Sequence, residues 1–93
     1  MFIVTFRLQG KPKSSVEIIQ TLHGISDRVK KIEGCEDAHV YKDTQNENIY
    51  FLVEEWQKQR CLEEHAKSDL FGALLGTRGL LIESPEIKFW TKI

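Results

Sequence analysis

The segment Asn48 to Trp56, NIYFLVEEW, carries large apolar side chains at both parities: Ile49, Phe51 and Val53 alternate with Tyr50 and Leu52. Successive side chains of a strand point to opposite faces of the sheet, so a strand with one face in water reads polar at every second position. This one does not. The last segment repeats the feature, with Ile87 and Phe89 against Trp90. A sheet made of such strands has two faces to cover. The order of elements decides how much of that cover the chain itself supplies.

Phe2 to Leu8 (FIVTFRL) is rich in β-branched and aromatic residues and reads as a strand. Phe2, Val4, Phe6 and Leu8 share one face; Ile3, Thr5 and Arg7 share the other. Gln9 to Lys13 contains Gly10 and Pro12 and reads as a loop. Ser14 followed by Glu17 predicts a capping box, in which hydroxyl and carboxylate satisfy orphan N–H groups reciprocally. Val16, Ile19, Leu22, Ile25 or Ser26, Val29 and Ile32 recur at helical spacing, and Gly34 supplies the stop. Gly24 lies inside this helix at a cost of about 1 kcal/mol against Ala, which predicts close packing or a kink.

Cys35 to Lys42 and Asn48 to Trp56 are two strands joined by the turn-forming DTQNEN, hence an antiparallel hairpin. Lys58 to about Ala66 is a short helix. Ser68 is placed to cap a further short helix carrying Leu70, Phe71, Leu74 and Leu75, ended by Gly76 and Gly79. Leu80 to Ile93 is the last strand, broken at Ser84-Pro85. Proline donates no ladder bond, so this strand is bulged or lies at an edge. The order β, α, β, β, α, β predicts one α+β domain over residues 1–93. Its fold is ferredoxin-like: a four-stranded antiparallel sheet with the helices on one face. No residues remain to cover the other face, so a second copy, sheet against sheet, is the expected partner.

Composition removes several classes of function. Lys and Arg total 13 and Asp and Glu 14, so no basic excess exists to hold a phosphate backbone, and nucleic acid is not the expected partner. No apolar run approaches the roughly 18 residues of a membrane span. The N-terminal MFIVTFRLQGKPK has its basic residues after its apolar run, the reverse of a signal peptide, so the expected location is cytoplasmic. Two cysteines, Cys35 and Cys61, are too few for a disulfide framework, and His23, His39 and His65 show no ligand spacing, so no metal site is expected. Cys35 reads as a small buried hydrophobe rather than a reactive thiol.

Four groups of residues together resemble a known family: Gly34-Cys35 after the first helix, Glu54-Glu55-Trp56 at the end of the third strand, Leu62-Glu63-Glu64-His65, and Ser68 with Phe71. The resemblance, to the antibiotic biosynthesis monooxygenase family, covers nearly the whole chain. It implies a dimeric α/β barrel and one of three roles. These are cofactor-free oxidation of quinols or anthrone-like polyketides with O2, haem binding and cleavage, or a role with no known reaction. The haem-cleaving members use an Asn on the first strand, a Trp in the second helical region and a proximal His. Aligned on Ser68 to Phe71, those positions hold Phe6, His65 and Leu75 here, and Leu75 cannot ligate iron. The quinol-oxidising members share the Glu-Xaa-Trp and Leu-Xaa-Xaa-His patterns, which implies a cavity between sheet and helices, a small aromatic ligand and no cofactor.

Chemistry of that kind asks for a dry pocket and a base near neutrality, and histidine suits the second role. His65, three residues beyond Leu62, either accepts a phenolic proton or hydrogen-bonds the substrate oxygen, or else fixes the helix to the sheet through a backbone carbonyl or Glu54. Phe6, Tyr41, Trp56, Phe71 and Leu75 are the expected pocket walls, although a Trp at position 56 is more often a core or dimer contact than a ring-stacking wall. His39 and Tyr41 share a face of the second strand, lining either a cavity or the dimer seam. Glu54, if buried, is expected to pair with Arg7 or a lysine. The leading expectation is a cofactor-independent monooxygenase acting on a small phenolic, quinol or polyketide-like aromatic. The alternative is a non-catalytic ligand-binding or stress-response dimer on the same scaffold, with haem binding or degradation third.

Overall fold

Period-2 burial along β1 (Phe2–Gln9) sets the architecture: Val4, Phe6 and Leu8 are fully buried, while Ile3, Thr5 and Arg7 are only half covered. The computed structural model describes residues 1–68 and 79–93. β2 (Cys35–Lys42), β3 (Ile49–Trp56) and β4 (Glu86–Thr91) join β1 in one antiparallel sheet of order β2-β3-β1-β4. This is the ferredoxin-like arrangement expected from the sequence. The hairpin turn is built as its composition requires: Asp43 Oδ1 accepts the amides of Gln45 (2.7 Å) and Asn46 (3.0 Å). β4 is an edge strand paired only to β1, and Pro85 immediately precedes it.

Helix α1 (Ser15–Val29) covers the sheet with Ile18, Leu22, Ile25, Ser26 and Val29, an i, i+4, i+7, i+8, i+11 stripe. Three sequence expectations change here. Val16 points into solvent and Ile18 takes its place in the core, because the stripe is in phase with residue 18. Ser14 makes no side-chain cap; the chain enters through a 3-10 turn, Pro12–Ser14, so proline rather than a capping box opens the helix. Gly24 is on the outer face with nothing within 4 Å of an added Cβ, so it marks neither the expected close contact nor a site of crowding. Ser26 is buried and donates to the Ala38 carbonyl at 3.1 Å, tying α1 to β2.

After α1 the chain tightens through i→i−3 bonds, Lys31 to Arg28 and Ile32 to Val29, and turns at Gly34. Gly34 has φ +88°, and a Cβ there would lie 2.6 Å from the Cβ of Cys61. Glycine is thus needed twice over, for its conformation and for the close approach of α2 (Gln59–His65). Leu62 and His65 are the buried residues of α2. The further helix expected around Leu70 to Leu75, with Phe71, lies outside the described residues.

The register defines the two faces as rows across the sheet. Facing the helices are Val40–Leu52–Phe6–Ile87, Ala38–Glu54–Val4–Phe89 and Cys35–Trp56–Phe2–Thr91. On the open face are Tyr41–Phe51–Arg7–Glu86, His39–Val53–Thr5–Lys88 and Asp37–Glu55–Ile3–Trp90. Among the described residues no helix is long and apolar enough to cross a membrane.

Candidate functional site

Glu54 stands in the middle of the helix-covered face, flanked by Ala38 and Val4, with its side chain 1% exposed. An ionised carboxylate out of water costs several kcal/mol unless charge and hydrogen bonds compensate it. Among the described residues two groups meet it, both at Oε1. The indole Nε1 of Trp56, two residues along the same face, donates to Oε1 at 3.1 Å. The imidazole Nε2 of His65 lies 3.1 Å from the same oxygen, an electrostatic contact more than an aligned hydrogen bond. His65 is itself 1% exposed and stacks on Trp56, ring centroids 4.9 Å apart at 27°. The i+3 step from Leu62 turns His65 inward onto β3, while the period-2 step turns Glu54 and Trp56 up to meet it.

This corrects the partner expected for Glu54. Arg7 sits at odd parity on β1, so it emerges on the opposite face, where it pairs with Glu83 at 3.6 Å. Of the two structural anchors considered for His65, Glu54 is one that the structure contains. The other ring nitrogen, Nδ1, lies 3.3 Å from Ser68 Oγ, and the Ser68 amide donates to the His65 carbonyl at 2.9 Å.

Two spaces flank α2. On the side toward the end of α1 is a cavity of about 280 Å³ whose lining includes Ile32, Lys58, Arg60, Cys61, His65 and Ser68. On the side toward β4 is a groove of about 570 Å³ walled by Phe2, Leu62, Ala66, Phe89, Trp90 and Thr91, with Gln59, Glu63 and Lys67 as its longer polar residues. Both approach or fall within the size range of small-ligand sites, roughly 300–1,000 Å³.

The residues expected to form one pocket are therefore distributed. Phe6 and Trp56 are 0% exposed core residues that border neither space. Trp56 and His65 are brought together. Tyr41 is 52% exposed on the open face, 6.1 Å from the His39 ring, and so on the far side of the sheet from Trp56. Phe71 and Leu75 lie outside the described residues. His39 pairs with Asp37 at 2.7 Å on the same open face. Cys35 is half-buried, and burial, followed by the nearby Glu54 carboxylate, pushes its thiol up to about 11, so it is not a thiolate at neutral pH. Sequence reasoning passed over Ser68 as a functional hydroxyl, reading it as a helix cap. Its position three residues after His65 was the available signal. Among the described residues no cluster of three or more His, Cys, Asp or Glu side chains is placed to hold a metal ion.

The sequence profile of the antibiotic biosynthesis monooxygenase family matches residues 1–75. A conserved protein of known structure from Methanosarcina mazei Go1 is 28% identical, with 99% of this chain and 92% of that chain covered and a TM-score of 0.89. A solved antibiotic biosynthesis monooxygenase superposes with a TM-score of 0.86 at 14% identity, covering 100% of this chain and 99% of that one. Rv0793 from Mycobacterium tuberculosis does so at 0.85 and 18%, with 99% and 94% covered. At such identities these last two report the fold alone. No curated protein matches the chain.

Proposed function

The chain belongs to the antibiotic biosynthesis monooxygenase family, and from that premise we propose that it oxidises a small phenol or hydroquinone with O2 and without a cofactor. In this reading the protein removes the phenolic proton and holds the ring. The phenolate then reduces O2: one oxygen atom becomes the new quinone carbonyl, and the other leaves as water with the two hydrogens lost by the substrate. His65 is the proton acceptor. The observation that carries the proposal is the Glu54–His65 contact at 3.1 Å, buried against Trp56 and reaching a cavity wall. A base held in a dry setting beside a carboxylate is what proton abstraction needs, because the carboxylate stabilises the imidazolium that forms. Since packing fills the region around Phe6 and Trp56, the substrate is assigned to the cavity of about 280 Å³ beside Ser68, which suits a one- or two-ring phenol.

The same reading includes a homodimer through the open sheet face. That face presents Ile3, Tyr41, Phe51, Val53 and Trp90 among charged residues, the mixed character of an interface more than of an interior. Sedimentation of Phe51→Glu should give a monomer where the parent gives a dimer. A parent that sediments as a monomer at micromolar concentration removes this part.

A second reading, a non-catalytic binder of small aromatics, is favoured by one observation: the groove between α2 and β4 is about twice the volume of the other space and its lining does not include His65. Oxygen uptake with a panel of hydroquinones, naphthols and anthrones separates the two. Uptake lost in His65→Ala with the fold intact supports the enzyme. Tight binding with no uptake decides for the binder.

A further inference from the structure

The two nitrogens of His65 have different neighbours, and the difference assigns them different work. Nε2 faces the Glu54 carboxylate at 3.1 Å, and Nδ1 faces the Ser68 hydroxyl at 3.3 Å. A carboxylate beside one ring nitrogen favours the proton there, which directs the lone pair of the other nitrogen at the hydroxyl. His65 borders the cavity but its imidazole is only 1% exposed, so the more open Ser68 hydroxyl is the group better placed to meet a ligand there. Ser68 is only part-buried and lines the cavity of about 280 Å³. Its place is set by the backbone, since its amide donates to the His65 carbonyl at 2.9 Å. Carboxylate, imidazole and hydroxyl thus follow one another from the sheet interior to a cavity wall.

We infer that Glu54, His65 and Ser68 form a proton relay in which Ser68 is the catalytic group that meets the substrate and Glu54 is a positioning residue. The inference rests on the phenol oxidation proposed above. Ser68 Oγ accepts the phenolic proton as its own proton passes to His65 Nδ1. The products of this step are phenolate and imidazolium, with the Glu54 carboxylate balancing the new charge. No electron moves and no bond to carbon forms. When O2 has been reduced, the proton returns by the same route to the oxygen that leaves as water.

The same three groups could instead activate serine as a nucleophile for acyl transfer. That chemistry needs N–H donors aimed at an oxyanion, and the Ser68 amide is already engaged by the His65 carbonyl. A relay needs no such donors.

The test uses the full chain and a phenol that the wild type oxidises. Ser68→Ala should lower kcat by about 10²- to 10⁴-fold, the usual worth of general base catalysis, with KM little changed. Ser68→Thr, which keeps a hydroxyl, should recover most of the loss. Glu54→Gln should lower kcat and change the shape of the pH–rate profile. The deciding readout is an electron-poor phenol already ionised at the assay pH. It has no proton to give, so Ser68→Ala should lose far less of its rate on this substrate than on a neutral phenol. Equal loss on ionised and neutral phenols, full activity of Ser68→Ala on neutral ones, or covalent labelling of Ser68 by a fluorophosphonate would each overturn the relay and leave the oxidation standing. A wild type that takes up no O2 with any phenol removes both. Where Ser68→Ala does not fold by circular dichroism, the near-isosteric pair Ser68→Thr and Ser68→Val carries the same comparison.

Discussion

The two faces of the sheet look alike in the sequence and are unlike in the molecule. Each carries aromatic side chains: Phe6 and Trp56 on one, Tyr41, Phe51 and Trp90 on the other. What separates them is the treatment of charge. The helix-covered face holds one carboxylate at its centre, Glu54, and sets the Trp56 indole N–H and the His65 imidazole against it. The open face holds Arg7, Asp37, Glu55, Glu86 and Lys88, spread over all four strands among apolar groups. Apolar content alone therefore does not identify an interior. The location of an unavoidable charge, and whether anything compensates it, is the sharper criterion.

The neighbouring residues Glu54 and Glu55 allow the comparison to be broken directly. Removing one partner of a buried pair costs about 3–5 kcal/mol, whereas exposed substitutions stay within about 0.5 kcal/mol. Urea unfolding of Glu54→Ala should show the large loss, and Glu55→Ala, at a half-buried position on the open face and measured at concentrations that hold the oligomeric state constant, should show a much smaller one. Equal effects would mean that the two faces do not differ in the way described.

The next largest effect belongs to Gly34. An Ala there enters left-handed backbone, at roughly 1–2 kcal/mol, and also meets Cys61, so Gly34→Ala should destabilise by about 2 kcal/mol or more in thermal melts. Gly24 is the opposite case. It lies on the outer face of α1 with open space around it, so Gly24→Ala should stabilise by up to about 1 kcal/mol. A destabilising result would mean that this outer face is covered by something in solution.

The smallest effect is in the acid limb. The amides of Gln45 and Asn46 hold the Asp43 carboxyl below its usual range, and the amide of Ala38, then His39, do the same for Asp37. A carboxyl depressed in the folded state contributes stability that is present above its unfolded value, near pH 4, and is lost as pH falls through the folded value. Asp43→Asn should therefore flatten the loss of stability below pH 4 slightly and leave neutral pH little changed. Both carboxylates are at the surface, so the difference should be small and should shrink further in salt.

Much of the fold was legible because it is written in local chemistry. Runs rich in β-branched and aromatic residues placed the strands, though the last begins at Glu86 rather than Leu80; Asp43 to Asn48 announced the hairpin, and Gly34 announced the stop after α1. The helix phase was misread at Val16 because Val16 and Ile18 both belong to apolar repeats, and only contact with the sheet chooses between them. The cap at Ser14 was misread because Pro12 starts the turn two residues earlier. The site was legible in part. Trp56 and His65 were singled out and do meet, but Glu54 was expected to pair with Arg7 or a lysine, and Tyr41 was grouped with side chains that lie on the other side of the sheet.

What this sequence determined by itself was the four strands, the two described helices, their order, and the fact that both surfaces of the sheet carry more apolar groups than water favours. What only the tertiary structure decided was parity between strands: which row Glu54 shares, which surface Tyr41 and Arg7 reach, and which nitrogen of His65 meets Ser68. The physical reason is one of range. Periodicity and turn chemistry act over a few neighbouring residues, whereas the meeting of β3 with α2 depends on how a whole helix is set down on a sheet.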